Sequence, residues 1–328
     1  MNETSNKNTH VTSNGLWKFA AGCIDAAVAL GVFFTFAALL GRFHWMLDIF
    51  SQVKQTLALC FLGFVIYKFI CGSYRTAALA LIPLMLNAVP PLLLFLPQQA
   101  RIAPRSPVKI RILQANVLSS NHNFEALLEL IQQSDPDVIV LQEITRQWLR
   151  ELVVLKTEYP VSAAFPREDN FGVATFCRYT NATARILFLS DPNMLPRSRV
   201  DLSVNNKTLT VTGVHLLPPL GHAYWSERNW YAEKLAAELA QIDNAQIVTG
   251  DMNNAPWAAR FNDFTKASGL LDCAQGRGAL ATWPTFLPPG FRLPLDHCFH
   301  SKDVIITARR RASKIGSDHF PMVIDAEF

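Results

Sequence analysis

Three apolar stretches dominate the first hundred positions, after which the pattern changes. Leu16 to Leu40 reads LWKFAAGCIDAAVALGVFFTFAALL and is uncharged from Ala26 onward; with its flank it is long enough to cross a hydrocarbon core. Thr56 to Cys71 is shorter and carries Lys68 near its end, where the amine can reach the interface while its stem stays in lipid. Thr76 to Leu96 is apolar apart from Asn87, with Pro83, Pro90 and Pro91 inside it as kink points of a helix. The pattern predicts a polar tail over 1–15 and an anchor of three transmembrane helices over 16–97. The long polar start and the two further apolar segments argue against a cleaved signal peptide. Asp25 falls inside the first segment and is expected to be paired or at the level of the interface. Gln98 to Val108, QQARIAPRSPV, has no apolar periodicity and reads as a linker at the membrane surface.

From Lys109 to Phe328 apolar and polar stretches alternate as in a soluble domain. KIRILQANV is strand-like, FEALLELIQQ has a helical period, and PDVIVLQEI is a second buried strand. FGVATFCRY, ARILFLS and LTVTGVHLL add strands; YWSERNWYAEKLAAELAQI is a long amphipathic helix; AQIVTGDMNN, LPLDHCFHS, VIITARR and PMVIDAEF close the chain as strands. Many strands with helices between some of them predict two sheets packed face to face and flanked by helices, rather than a doubly wound parallel sheet.

Composition changes this picture little. A formal net charge of +4, with no dense basic run, does not announce a nucleic-acid binder. Six cysteines, at 23, 60, 71, 177, 273 and 298, match neither a zinc ribbon nor a disulfide framework and read as small buried hydrophobes.

The candidate chemistry lies where polar residues interrupt apolar strands near their carboxyl ends. These are Asn116 in LQANV, Glu143 in VLQEI, His215 in TGVHL, Asp251 and Asn253 in TGDMN, Asp296 in PLDHCF, and Asp318 with His319 in GSDHFP. Singly, each reads as a cap, a turn residue or a surface charge. Together, carboxylates, amides and imidazoles at strand ends are the materials of a site assembled from distant sequence.

LQANV, DVIVLQE, GVH, VTGDMN, LDH and SDHFP, in this order, resemble the endonuclease/exonuclease/phosphatase superfamily, the deoxyribonuclease I-like fold. The resemblance covers 109–328 and no part of the anchor. It implies a four-layer α/β sandwich that hydrolyses phosphate esters with a divalent metal, Mg²⁺ first, with Mn²⁺ or Ca²⁺ able to substitute. It places Glu143 as the main metal ligand, with Asn116 beside it and Asp318 as a further contact. Asp296 orients His319, His215 contacts the phosphate, Asp251 positions or deprotonates the water, and Asn253 holds a phosphoryl oxygen. Some nucleases of the superfamily carry a carboxylate two residues after the first Asn, where this chain has Leu118.

The expected activity is that of a membrane-anchored phosphodiesterase, nuclease-like before phospholipid-directed. A silent membrane-bound interaction module is the alternative outside enzymology, and no protein partner is indicated. Lys7, Lys18, Lys68 and Arg75 fall on one face of the membrane and Arg42, Lys54, Arg101 and Arg105 on the other. That near tie leaves an extracytoplasmic catalytic domain as the expectation, because long domains translocate largely regardless of charge.

Other segments carry weaker signals. His222 and Tyr224 are expected in a substrate-facing loop, Trp225, Trp230 and Tyr231 in the core, and WPTF at the cleft rim, while Arg309, Arg310 and Arg311 are expected at a solvated strand end.

Overall fold

The computed structural model of the chain describes residues 7–97, 107–189 and 195–328, with the backbone alone for residues 7–14. Most of the expected linker, residues 98–106, lies outside the described residues. Four helices come first: α1 (Lys7–Leu39), α2 (Trp45–Gln52), α3 (Lys54–Ile70) and α4 (Tyr74–Leu93). α1 begins inside the segment expected to be a polar tail. By length and apolarity α1 and α4 can each cross a membrane, whereas α3 does so only together with α2, from which it is bent by 60°. The outward faces are apolar: Phe33, Leu79 and Ile82 are 61%, 69% and 56% exposed, the inverse of a water-soluble bundle. Asn87 is buried and donates to Thr35 Oγ1 at 2.8 Å, tying α4 to α1. Asp25 pairs with Lys68 at 2.6 Å.

The helices meet the following domain at one end only. Arg42, just past α1, pairs with Asp263. Lys54 Nζ, at the start of α3, donates to the Trp257 carbonyl at 3.3 Å. The Leu94 carbonyl, just past α4, accepts from the backbone N–H groups of Gly276 and Gly278 at 2.7 and 3.2 Å. α1 and α4 therefore run toward the domain and α3 away from it, with α2 lying at the junction.

The domain is built from two six-stranded sheets. The first contains β1 (Lys109–Asn116), β2 (Val138–Gln142), β3 (Val161–Phe165), β4 (Val173–Cys177), β11 (Ile305–Arg311) and β12 (Met322–Glu327), in the order β11-β12-β1-β2-β4-β3. The second contains β5 (Thr183–Leu187), β6 (Arg197–Val204), β7 (Lys207–His215), β8 (Ala245–Asp251), β9 (Leu271–Asp272) and β10 (Asp296–His300), in the order β5-β6-β7-β8-β10-β9. Each sheet holds one parallel pair, β1 with β2 and β7 with β8. The crossovers between those parallel strands are α5 (Phe124–Ser134) and α7 (His222–Leu239), with α6 (Arg146–Glu151) and α8 (Phe261–Ser268) beside them.

Alternation along the strands decides what lies on each face. Ile112, Val138 and Val140 point inward and pack with Val200, Val211 and Ile247 of the opposite sheet. Their neighbours Leu113, Ile139 and Leu141 point outward and pack under Leu127 and Ile131 of α5 and Trp148 of α6. Val214, Val248 and Phe299 pack outward under Leu235 and Leu239 of α7 and Phe264 of α8. Strands covered on both faces read as continuous apolar runs, and the result is the expected helix–sheet–sheet–helix sandwich. At Gly213 an added Cβ would sit 2.4 Å from Val140 Cγ1, so β7 approaches the facing sheet too closely for a side chain there.

One expectation about the cysteines is corrected: Cys273 and Cys298 form a disulfide with Cα atoms 5.4 Å apart. Cys177 is left as the free thiol of this domain, buried in the core.

Candidate active site

Both parallel pairs end at the same place. Asn116 closes β1 and Glu143 follows β2 directly; His215 closes β7 and Asp251 closes β8. In open α/β sheets the carboxyl ends of parallel strands are where ligands bind, and here two such edges face each other. In the second sheet the register aligns His215 with Asp251 and Asp251 with Asp296, so three adjacent strands present one row of polar side chains. Gly250 permits the close approach: its φ is +149° and an added Cβ would lie 2.0 Å from the Val214 carbonyl oxygen. The remaining residues, Asp318 and His319, come from the loop between β11 and β12. Ser317 Oγ fixes that loop by donating to the Asn116 carbonyl at 2.8 Å.

The side chains converge on Asp251, which is 1% exposed. Asn116 Nδ2 donates to its Oδ2 at 3.2 Å. Nε2 of His215 and Nε2 of His319 lie 3.5 and 3.6 Å from the same oxygen. Asp251 Oδ1 accepts from the backbone N–H of Asn253 at 2.8 Å. Asn253 Nδ2 donates to the Leu216 carbonyl at 2.8 Å and stands 3.4 Å from His215 Nε2. Behind His319, Nδ1 meets Asp296 Oδ2 at 2.8 Å, and Asp296 Oδ1 accepts from Gln114 Nε2 at 2.8 Å. Gln114 also donates to Gln142 Oε1 of the neighbouring strand at 2.7 Å, so its bond to Asp296 is the polar bridge between the two sheets.

These surroundings shift the two imidazoles in opposite directions. Burial lowers His215 below its usual pKa, and the Asp251 charge offsets this only in part. Burial would lower His319 as well, but the carboxylates of Asp296 and Asp251 outweigh it and hold His319 well above its usual value. Burial would raise Asp296, yet the charge and hydrogen bond of His319 keep it below the ordinary carboxylate range. Asp251 is raised by burial despite its imidazole neighbours.

Glu143 and Asp318 stand on the other side of this cluster. Glu143 Oε1 accepts from Asn116 Nδ2 at 2.9 Å and Oε2 from the Ser119 N–H at 3.0 Å. Its φ of 63° lies in the left-handed region, a conformation that costs a non-glycine residue about 1–2 kcal/mol and that commonly marks functional positions. Asp318 Oδ2 accepts from Trp283 Nε1 at 2.8 Å, while its Oδ1 is buried with no hydrogen-bond partner among the described residues.

Two groups qualify as cation ligands. Ligand atoms of Asp251, Asp296 and His319 all lie within 4.8 Å of one another. Within that group Asp296 Oδ2 and His319 Nδ1 are hydrogen-bonded to each other at 2.8 Å. Glu143, Asn116 and Asp318 form an all-oxygen donor set that suits a hard divalent cation. The buried Asp318 Oδ1, without a hydrogen-bond partner among the described residues, is an acceptor that such an ion would satisfy.

Of the strand-end residues singled out from the sequence, Glu143, His215, Asp251, Asn253, Asp318 and His319 line one cleft, Asn116 and Asp296 bond to them from behind, and the cleft adds others. Phe171, Pro218, Pro219, Leu220, Leu293 and Leu295 border it. So do Ile49 and Gln52 of α2 and Val53 just past it, which carry no sequence signal of a site. Gln114 was visible only as a polar residue in an apolar strand, and Trp283 as part of the rim segment WPTF. His222 and Tyr224 are not in a loop: they form the first turn of α7. Trp225 and Tyr231 are buried as expected, whereas Trp230 is 37% exposed. Arg309 is no solvated end, since its Nη2 donates to the Gly278 carbonyl at 2.6 Å.

Comparison with known proteins finds the same fold in solved structures. The structure of D. rerio TDP2 complexed with a single-strand DNA product superposes with a TM-score of 0.55 at 17% identity, covering 66% of this chain and 98% of that one. The human Nocturnin catalytic domain with bound sulfate gives 0.53 at 19% identity, covering 69% and 96%. An endonuclease/exonuclease/phosphatase from Bacteroides vulgatus gives 0.56 at 16% identity, covering 67% and 99%. At these identities the likeness is one of fold. No curated protein sequence matches the chain. The family model described as endonuclease/exonuclease/phosphatase family matches residues 113–319, a span that opens in β1 and ends on His319, and by that match the chain belongs to the endonuclease/exonuclease/phosphatase family.

Proposed function

We propose that this protein is a membrane-anchored, divalent-metal-dependent phosphodiesterase with its catalytic domain on the extracytoplasmic side. The observation that carries the reading is the convergence on Asp251. One buried carboxylate oxygen stands within 3.6 Å of an amide and two imidazoles, and His319 has its own orienting carboxylate at 2.8 Å.

Each role follows from these contacts. Glu143, Asn116 and Asp318 would hold the cation, which supplies charge neutralisation for an anionic phosphoester. Asp251 takes a proton from the attacking water, whose oxygen bonds to phosphorus as the ester P–O bond breaks. His319, kept charged by Asp296, gives a proton from Nε2 to the departing alkoxide. A diester and water thus become a monoester and an alcohol. His215, neutral in its buried position, and Asn253 Nδ2 face the phosphoryl oxygens. Gln114 keeps Asp296 turned toward His319.

Anchoring rests on the apolar length of α1 and α4 and on the bent pair α2 and α3. The side of the membrane is supported by the Cys273–Cys298 disulfide, since such bonds persist in oxidising compartments. Protease accessibility of the domain in right-side-out and inverted vesicles tests that side.

The test of the activity uses the full chain in detergent and a small activated diester, bis(p-nitrophenyl) phosphate, with Mg²⁺ and with EDTA. Hydrolysis that needs the metal, and that falls by about 10²–10⁴-fold in Asp251→Asn or His319→Ala, is the expected result. Metal-independent turnover, or turnover untouched by these variants, overturns the reading. A nucleic-acid diester is the second reading, favoured by the DNA product in the D. rerio TDP2 structure.

A further inference from the structure

The cleft is not closed by the sandwich alone. One wall is Ile49 and Gln52 of α2, the short helix between the end of α1 and the bend into α3, with Val53 at that bend. The anchor is therefore part of the site and not a distant tether.

Its docking is rigid and polar. Asp48, on the turn of α2 before this wall, is 1% exposed, and Arg228 of α7 is 2% exposed. Arg228 Nη2 meets Asp48 Oδ2 at 2.5 Å, and Trp225 Nε1 donates to the same oxygen at 3.1 Å. Arg228 Nη1 reaches on to the Asn253 carbonyl at 3.3 Å. Gln52 Oε1 accepts from the Ala255 N–H at 2.6 Å, its Nε2 donates to Asn254 Oδ1 at 3.0 Å, and its carbonyl accepts from Trp257 Nε1 at 2.9 Å. These bonds fix α2 to the segment that immediately follows Asp251.

The cleft, of about 360 Å³, has two kinds of lining. Carboxylates, amides and imidazoles make up one part. Ile49, Val53, Pro218, Pro219, Leu220, Leu293 and Leu295 make up the other. Among the described residues no lysine or arginine lines the cleft. A nucleic-acid strand carries a charge at every phosphate and is held by cations that track its backbone, so this lining suits it poorly. An uncharged apolar wall suits a hydrocarbon chain, whose transfer from water is favourable by about 0.8 kcal/mol per methylene.

Position supplies the source of that chain. α1 and α3, which flank α2, belong to the membrane-crossing set, so the wall stands where the domain meets the lipid surface. Leu220, on the rim, is 70% exposed, and Phe286, in the rim segment after Trp283, is 76% exposed. Gly290, further along that segment, packs against α3: an added Cβ would meet Leu59 Cδ1 at 2.6 Å. The exposed apolar rim and the anchor thus lie together.

Resting on the phosphodiesterase reading above, we propose that the substrate is a membrane lipid phosphodiester. Its phosphate enters among Asp251, His215 and His319 while the start of its hydrocarbon chain lies along Ile49, Val53 and Leu220. Helix α2 defines substrate class by walling the chain side of the cleft.

The experiment uses the full chain in nanodiscs and a series of p-nitrophenyl alkyl phosphate diesters with methyl, butyl and octyl groups, beside phosphatidylglycerol vesicles and single-stranded DNA and RNA. Expected is a kcat/KM that climbs at least about tenfold from methyl to butyl, together with cleavage of the vesicle lipid. In Ile49→Asn and in Val53→Asn the butyl-to-methyl ratio falls toward one. Equal rates for all chain lengths, or DNA or RNA cleaved in preference to the octyl diester and the lipid, overturn the lipid assignment and leave the phosphodiesterase reading standing. No turnover of any diester by the metal-loaded protein removes both.

Discussion

In the helical segment, polar side chains that fall among apolar ones each bond to a neighbour within the bundle. Asn87 donates to Thr35 and to the Pro83 carbonyl, both at 2.8 Å, and Asp25 pairs with Lys68 at 2.6 Å. In the sandwich the polar residues at strand ends are gathered instead and left partly unsatisfied. Asp251 Oδ2 has donors around it at 3.2, 3.5 and 3.6 Å, most of them longer than a good hydrogen bond, and Asp318 Oδ1 has none among the described residues. A buried polar atom without a partner costs about 1–3 kcal/mol. An orphaned atom alone does not mark chemistry, since Asn87 Oδ1 is buried without a partner among the described residues too; what separates the two regions is the gathering of an amide and two imidazoles around one carboxylate oxygen.

The first way to break the comparison is to remove the gathered groups. Asp251→Asn keeps the size and the acceptor for the Asn253 N–H but removes the charge and the base. Hydrolysis should fall by about 10²–10⁴-fold, while the thermal midpoint in detergent stays the same or rises. A collapse of the midpoint in step with activity would make Asp251 a structural residue like Asn87.

Next in size is the junction. Asp48 and Arg228 are both buried and belong to different parts of the molecule, so Asp48→Ala leaves a guanidinium uncompensated. Removing one member of a buried pair costs about 3–5 kcal/mol. The expected readout is a lower melting temperature of the full chain, with a hydrolytic defect through the Arg228 contact to the Asn253 carbonyl. Restoring packing with Asp48→Leu and Arg228→Met together should recover the melting temperature more than either change alone. If Asp48→Ala melts as wild type, α2 is not held as its hydrogen bonds indicate.

A smaller effect is expected one step behind the site. Gln114→Leu deprives Asp296 Oδ1 of its donor without touching the reacting groups. Orienting partners of this kind are worth about 10–100-fold in activity. The loss should appear mainly in kcat, and Gln114→Asn, which retains an amide, should not restore it unless its shorter reach is made good.

How much of this was legible beforehand follows from the same physics. The double-sided apolar runs of β1, β2, β7 and β8 were plain in the sequence, and so were the polar residues that end them, because strand alternation is a local code. β3 and β6 were not singled out: VSAAF is short and weakly apolar, and RSRVDLSV interleaves charges with its buried positions. The start of α7 was misplaced because two prolines and a glycine precede His222 and mask its first turn. Nothing in WMLDIFSQ points to the cleft, since Asp48 and Gln52 acquire their meaning from Arg228 and Asn254, partners 180 and 202 residues away. The Cys273–Cys298 disulfide was hidden for the same reason: a count of thiols carries no pairing.

The smallest expected effect closes the comparison from the other side. Asp25 and Lys68 form an ion pair as close as that of Asp48 and Arg228, but the Asp25 side chain is 53% exposed against 1% for Asp48. The Asp25–Lys68 pair touches neither the domain nor α2, and Lys68 can turn its amine toward the interface when unpaired. Asp25→Asn should therefore leave hydrolysis of both the methyl and the octyl diester within about twofold of wild type, the range of substitutions remote from any special feature. A tenfold loss on the octyl diester alone would mean that the pair sets the pose of α3, and through it the α2 wall. The boundary between structural and functional polar groups would then run through the anchor rather than at its junction with the sandwich.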